Sequence, residues 1–185
     1  MNYMKDKKLA FVDIETSGLR PDKHEILELG CLIARPDGRG GYEIIEEFEC
    51  KVKPEHIETA EQAALRINGY NEADWVLAHS QKEALTMLST KCKDCVLIGQ
   101  NISFDYSFLS YAFGTYGVPD PFFYAKLDTI SLAFLRFRNN PEMDNFSLRS
   151  LCDYLNIKND KAHTALADVR ATYQVFLKLM QNKPL

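Results

Sequence analysis

The order of apolar segments in this chain predicts an α/β fold, a three-layer α/β/α sandwich on a mixed sheet. Three observations carry that expectation. The N-terminal part reads as a meander of three strands separated by turn-forming residues. From Lys82 onward, helical and strand segments alternate. The final segment carries Leu166, Val169, Tyr173, Phe176, Leu177 and Met180 at helical spacing.

Taken in order, Leu9 to Glu15 is an apolar strand that ends in two acids, followed by a turn at Ser17-Gly18. Glu25 to Ala34 is a second strand. The loop Arg35-Pro36-Asp37-Gly38-Arg39-Gly40-Gly41 supplies hairpin geometry, so Tyr42 to Val52 is expected to pair antiparallel with it. Lys82 to Lys91 reads as a helix and Val96 to Gly99 as a short strand. Phe104 to Tyr116 reads as a helix with Ser103 as N-cap. Lys126 to Ile130 is expected as a fifth strand, and Ser147 caps a helix through Tyr154. No repeat, low-complexity tract or linker interrupts the chain, so residues 1–185 read as a single domain.

Composition narrows the function classes. The 185 residues are 46% hydrophobic and 26% charged, enough for one sizeable core. No stretch approaches the ~18 apolar residues of a membrane span, and the polar start Met1-Asn2-Tyr3-Met4-Lys5-Asp6-Lys7-Lys8 lacks a signal-peptide core, which points to the cytoplasm. A formal net charge of -4 argues against coating long duplexes through a broad basic surface. It is compatible with an acidic metal site, cation-neutralised, holding a short strand with a few rim cations such as Arg66, Lys126, Arg138 and Arg149. The cysteines Cys31, Cys50, Cys92, Cys95 and Cys152 are scattered and odd in number, unlike a disulfide framework. Cys92-Lys93-Asp94-Cys95 has zinc-like spacing but no second ligand pair, and reads as incidental.

The chemistry begins at Asp13 and Glu15. Strand side chains alternate, so the two acids share a face, with α-carbons about 7 Å apart. Two anions at the end of an apolar strand repel, and a divalent cation relieves them. Two more acids have informative settings: Asp105 in Ile98-Gly99-Gln100-Asn101-Ile102-Ser103-Phe104-Asp105, and Asp168 in His163-Thr164-Ala165-Leu166-Ala167-Asp168. An acid in the first turn of a helix, such as Asp105, is favoured by the macrodipole without any catalysis. His163 and Asp168 are five residues apart, about 140° on a continuous helix, so they meet at one site only if His163 lies before or at the helix start. The polar run Asn159-Asp160-Lys161-Ala162 suits that boundary.

These segments together resemble the exonuclease motifs of the DEDD superfamily, in its histidine-containing branch. That branch includes the proofreading epsilon subunit of bacterial DNA polymerase III, ribonuclease T and oligoribonuclease. The resemblance runs from about Leu9 to Leu179 with the motifs in order. It implies a ribonuclease H-like fold, a mixed five-stranded sheet with the Asp13 strand central, and a 3′-to-5′ exonuclease releasing nucleoside 5′-monophosphates from single-stranded ends. The cofactors implied are two Mg²⁺ or Mn²⁺ ions about 3.5 to 4 Å apart, suited to oxygen ligands. Asp13, Glu15 and Asp168 would form the inner metal site, Asp105 would serve the outer one, and His163 would be the general base.

The same resemblance places Thr16, Gly18 and Leu19 against the terminal nucleotide, with Leu19 as a wedge. It puts Asn101, Phe104 and Phe108 along the strand's path, with one of the two rings in the core. Ala64-Leu65-Arg66-Ile67-Asn68-Gly69-Tyr70 resembles a family segment in which an Asn-Gly turn borders the cleft, which makes Asn68 a substrate-side candidate. Asp128-Thr129 resembles a family pair; this pair and the Asn-Gly turn, itself an ordinary turn signal, read as structural by default, and His24, His56 and His79 receive no role. The motif style favours DNA over the RNA-trimming branches. A catalytically silent binding or polymerase-docking module is the alternative from another class, opposed by the presence of all five expected catalytic side chains. The chain ends soon after its last helix, without a long docking tail, which favours free-standing action.

Overall fold

A computed structural model describes residues 3–159 and 164–181. Its strands are β1 (Leu9–Thr16), β2 (Ile26–Pro36), β3 (Tyr42–Lys51), β4 (Val96–Gly99) and β5 (Lys126–Asp128). Its helices are α1 (Gln62–Ile67), α2 (Gln81–Lys91), α3 (Ile102–Tyr116), α4 (Thr129–Phe137), α5 (Leu148–Leu155) and α6 (Ala165–Met180). The strands form one five-stranded sheet in the order β3-β2-β1-β4-β5. The meander β1-β2-β3 is antiparallel, while β4 pairs parallel with β1, and β5 with β4. The sheet is therefore mixed, as the order of segments predicts, with β1 at its centre, as the family resemblance implies.

Alternation along β1 divides its side chains between two cores. Ala10, Val12 and Ile14 pack with Leu85 and Leu88 of α2 and with Leu109 and Phe113 of α3. Leu9 and Phe11 face the opposite way, onto Val169, Tyr173 and Phe176 of α6. Phe11 meets Tyr173 and Phe176 edge-on at centroid separations of 5.2 and 5.3 Å. A third cluster joins α4, α5 and α6 through Ala133, Phe137, Leu151, Leu155, Ala171 and Val175. Helices thus cover both faces of the sheet, the α/β/α sandwich of the ribonuclease H-like class. Asp13 and Glu15 continue the Leu9-Phe11 face and point toward α6.

The structure differs from the sequence expectation at the start of α3, at the end of β5 and in the helices α1 and α4. Ser103 does not cap α3; it lies inside the helix, and Asn101 occupies the N-cap with φ 60° and ψ 45°. The cap comes from far along the chain, because the Asp128 carboxylate accepts the N–H groups of Asn101 and Ile102 at 3.2 and 3.1 Å. The same carboxylate accepts the Ile130 N–H and starts α4. That capping ends β5 at Asp128 rather than Ile130 and turns Thr129 into the first residue of a helix that the apolar run had concealed. The short helix α1 was also unanticipated; it carries Arg66 in its last turn. By contrast Ser147 caps α5 as expected, accepting the Ser150 N–H.

Cys31, Cys50, Cys92, Cys95 and Cys152 are all buried and unpaired by disulfides. Cys92 and Cys95 belong to the apolar core under α2 and α3, in agreement with the incidental reading of their spacing. Among the described residues no helix is long and apolar enough to cross a membrane.

Candidate active site

The site forms where the end of β1 meets the first turns of α3 and α6. Glu15 pairs with Glu28 but Thr16 pairs with Ile26, so one extra β2 residue bulges opposite the Glu15–Thr16 step. Such a bulge re-aims the strand end, as bulges beside functional sites do. One oxygen each from Asp13, Glu15 and Asp168 fall within 4.8 Å of one another. Asp105 approaches from α3, its Oδ1 accepting the Ile14 N–H at 3.1 Å. Asp168 Oδ1 accepts from the Asn159 amide at 2.7 Å, which ties the start of α6 to the segment after α5.

A glycine makes the approach of α6 feasible. Gly30 is the β2 partner of Asp13. A Cβ there would lie 2.5 Å from the backbone carbon of Ala165, 2.6 Å from the Leu166 nitrogen and 2.7 Å from the Ala165 oxygen. The first turn of α6 therefore rests directly on the sheet, and Gly30→Ala must push the helix carrying Asp168 away. A loss of about 1–3 kcal/mol is expected, with a larger fall in activity than in stability. Urea melts read beside rate measurements test this; a variant with wild-type stability and rate contradicts the close contact.

The sequence reading missed Glu28. Its Oε1 accepts the Ala165 N–H at 2.8 Å, and Glu49 Oε1 accepts the Leu166 N–H at 3.1 Å. Two carboxylates thus hold the positive end of the α6 dipole against the site. The available signal was an acid inside the otherwise apolar run Ile26-Leu27-Glu28-Leu29-Gly30, a break in pattern that sits in a buried strand.

Electrostatics show how much these acids need a counter-charge. Burial, then the charges of Asp105, Asp168, Glu15 and Glu28, hold the Asp13 carboxyl well above the usual carboxylate range. Burial, followed by Asp168, Glu28 and Asp105, pushes Glu15 up to about 8. Burial raises Asp105 to about 7 despite the opposing hydrogen bond from Ile14. Near neutral pH the cluster is either partly protonated or cation-bound. The donors are all carboxylate oxygens, the set that suits hard cations such as Mg²⁺ or Mn²⁺.

The segment after the acids is a built turn. Thr16 Oγ1 donates to the Gly18 carbonyl at 2.7 Å, Ser17 N–H donates to Glu25 O, and Glu25 N–H donates to Ser17 Oγ. Gly18 is buried, while Leu19 projects with 70% of its surface exposed. Asn68 lies beside the turn but its side chain is committed internally: its amide donates to Thr16 O at 3.1 Å and its oxygen accepts the Tyr70 N–H. Phe104 and Phe108 pack at a centroid separation of 5.2 Å; Phe108 is the core ring and Phe104 is partly buried against it. Asn101 is exposed at the start of α3. Of the rim cations, Arg66, Arg138 and Arg149 are exposed, and the Lys126 ammonium stacks 3.8 Å from the Tyr106 ring centre. His163 lies outside the described residues.

Fold and carboxylate cluster define the class, a nuclease domain of the exonuclease type. The chain belongs to the exonuclease family whose model, RNase_T, matches residues 10–176. It is similar to the 3′-5′ DNA exonuclease Cap18 of Escherichia coli, 31% identical over 139 residues, covering 70% of either chain. Ribonuclease T of a Shewanella species is 27% identical, with 92% of this chain and 80% of that protein aligned. The PolC-type DNA polymerase III of Thermotoga maritima is 28% identical over 95% of this chain, which spans only 12% of that relative's length. Among solved structures, E. coli exonuclease I in complex with a dT13 oligonucleotide superposes with a TM-score of 0.80 at 20% identity, over 96% of this chain and 42% of that one. The resemblance read from the motifs and the architecture it implied thus both stand.

Proposed function

We propose that this chain is a metal-dependent 3′-to-5′ exonuclease that releases nucleoside 5′-monophosphates from single-stranded DNA ends. The observation that carries the reading is the convergence of Asp13, Glu15 and Asp168 oxygens within 4.8 Å, with Asp105 alongside. Asp13, Glu15 and Asp168 would hold one divalent cation, and Asp13 with Asp105 a second. When bound, such cations neutralise the scissile phosphate and acidify the attacking water.

The chain's own groups do the rest. The Thr16–Leu19 turn offers backbone groups to the terminal sugar, and exposed Leu19 lies against its base. Phe104 offers a ring face to the next base. Asn68 serves indirectly, by fixing the Thr16 carbonyl, and Asn101 borders the strand's path. His163 takes the proton from the attacking water as the new P–O bond forms and the bond to the 3′ oxygen breaks.

DNA is favoured because Cap18, the relative at 31% identity and 70% mutual coverage, is a DNA exonuclease. The ribonuclease T relative supports a second reading, an RNA-trimming enzyme of the same chemistry. Action on free single-stranded ends in the cytoplasm completes the proposal.

The test is degradation of 5′-labelled single-stranded DNA and RNA, each ending in a 3′-hydroxyl or a 3′-phosphate, with Mg²⁺, Mn²⁺ or chelator. Stepwise loss from the 3′ end is expected, faster on DNA and absent in chelator. Blocking the 3′ end should slow it at least about tenfold, the loss of one well-placed hydrogen bond. No hydrolysis with metal present would favour a binding module, and sensitivity to 5′ blocking alone would reverse the assigned polarity.

A further inference from the structure

We infer that His24 is a positioning residue for recognition of the 3′ end, acting through the backbone of Gly18 and Arg20; the inference rests on the reading of the Thr16–Leu19 turn as the nucleotide-facing element. The loop between β1 and β2 folds back so that the His24 imidazole lies beneath Gly18. A Cβ on Gly18 would fall 2.3 Å from Nδ1, 2.5 Å from Cε1 and 2.6 Å from Cγ. Glycine is required at this position by the ring, not by the turn's own dihedral angles, because Gly18 is absent from the positive-φ residues.

The ring is also wired to the turn. Nδ1 accepts the Arg20 N–H at 3.0 Å, and the His24 N–H donates back to Arg20 O at 2.7 Å. These two bonds close the loop immediately after Leu19, so the direction in which Leu19 leaves the surface depends on where the imidazole sits. An Nδ1 that accepts carries no proton, so the neutral ring holds its proton on Nε2. Among the described residues Nε2 is buried without a hydrogen-bond partner, and it lies 3.7 Å from Glu61 Oε1. Glu61 immediately precedes α1, and its N–H donates to Ser17 O. His24 therefore stands between two elements that meet at the turn, with only 4% of its surface exposed.

A buried imidazole could brace the loop for stability alone. The positioning role differs in one respect: it changes discrimination between ends. The experiment measures equilibrium binding of 5′-labelled oligothymidylate ending in 3′-hydroxyl or 3′-phosphate, with Ca²⁺ replacing Mg²⁺ and probe integrity verified, for wild type, His24→Ala, His24→Asn and His24→Gln. Wild type is expected to prefer the 3′-hydroxyl, and His24→Ala to cut that preference about tenfold. In His24→Asn, Oδ1 stands where Nδ1 stood and accepts the Arg20 N–H, so most of the preference returns. His24→Gln, whose amide falls at the Nε2 position, should not restore it.

Full preference in a folded His24→Ala overturns the inference, as do equal preferences in the Asn and Gln variants, which decide the matter even where the alanine variant fails to fold. Gly18→Ala adds a cross-check: its loss of preference should shrink in the His24→Ala background, where the clash is gone, and strict additivity counts against coupling through Gly18. A wild type that binds both ends equally sinks the reading of the turn together with the inference. A wild type that discriminates, beside a His24→Ala that discriminates equally, sinks the inference alone.

Discussion

Asp13→Asn is expected to abolish hydrolysis while making the metal-free protein more stable above neutral pH. The two effects share one cause. Asp13 is the most crowded of the acids, raised by burial and by four neighbouring carboxylates. Removing its charge takes away a ligand that both cations would share, and metal-ion catalysis is worth several kcal/mol, so the rate should fall by roughly 10³-fold or more.

Stability moves the other way, and its pH dependence fixes the sign. Folding raises Asp105 from 3.8 to about 7 and Glu15 from 4.5 to about 8. A raised carboxyl favours the folded state while it is protonated. That contribution is fully present below the unfolded values and is lost as pH rises through the folded ones. Metal-free wild type should therefore melt at lower temperature at pH 9 than at pH 5, and saturating Mg²⁺ should remove most of the difference. Asp13→Asn should narrow the gap in chelator, since one of the mutually repelling charges never forms. Calorimetry in chelator and in Mg²⁺ reads all of this. A folded Asp13→Asn that retains near wild-type hydrolysis, or a metal-free wild type equally stable at both pH values, contradicts the four-acid site.

The legible parts of this site are those that depend on local order. Period-two alternation alone puts Asp13 and Glu15 on one face, and the meander with alternating elements predicts the sandwich. Asp105 and Asp168 were recognisable only by resemblance, because in isolation an acid in a first helical turn needs no function. What local order hides is long-range satisfaction. Ser103 has ordinary capping chemistry, yet α3 is capped by Asp128, 27 positions from Asn101, and no window of sequence links them. Glu28 interrupts an apolar strand because it accepts the N–H of Ala165, 137 positions later, and no local window shows that partner. His24 had no patterned partner for a similar reason, since its partners are the backbone of Arg20 and the missing side chain of Gly18.

His163→Ala is expected to lose activity on the scale of general-base assistance, roughly 10²- to 10⁴-fold, while still binding metal and substrate. The assignment rests on the third motif, where His163 precedes Asp168 by five residues, and on the geometry just downstream of it. The structure places Thr164 at the N-cap of α6 and Asp168 in the first turn. The 140° separation applies only to a helix continuous through both positions, and α6 begins at Ala165. An imidazole with an ordinary pKa of about 6.5 is neutral, hence basic, at physiological pH. Neighbouring carboxylates raise that value and bound cations lower it, so the acid limb of the rate profile reports their balance. Single-turnover cleavage by wild type and His163→Ala across pH 5.5 to 9 at saturating Mg²⁺ makes the comparison. The wild-type rate should climb with pH through the histidine range, and the variant's climb should be weaker from a lower plateau. Product binding, measured in parallel, should be nearly equal for the two proteins. An unchanged rate throughout would remove His163 from the reaction. A loss of product binding in step with the rate would make it a substrate ligand instead of a base.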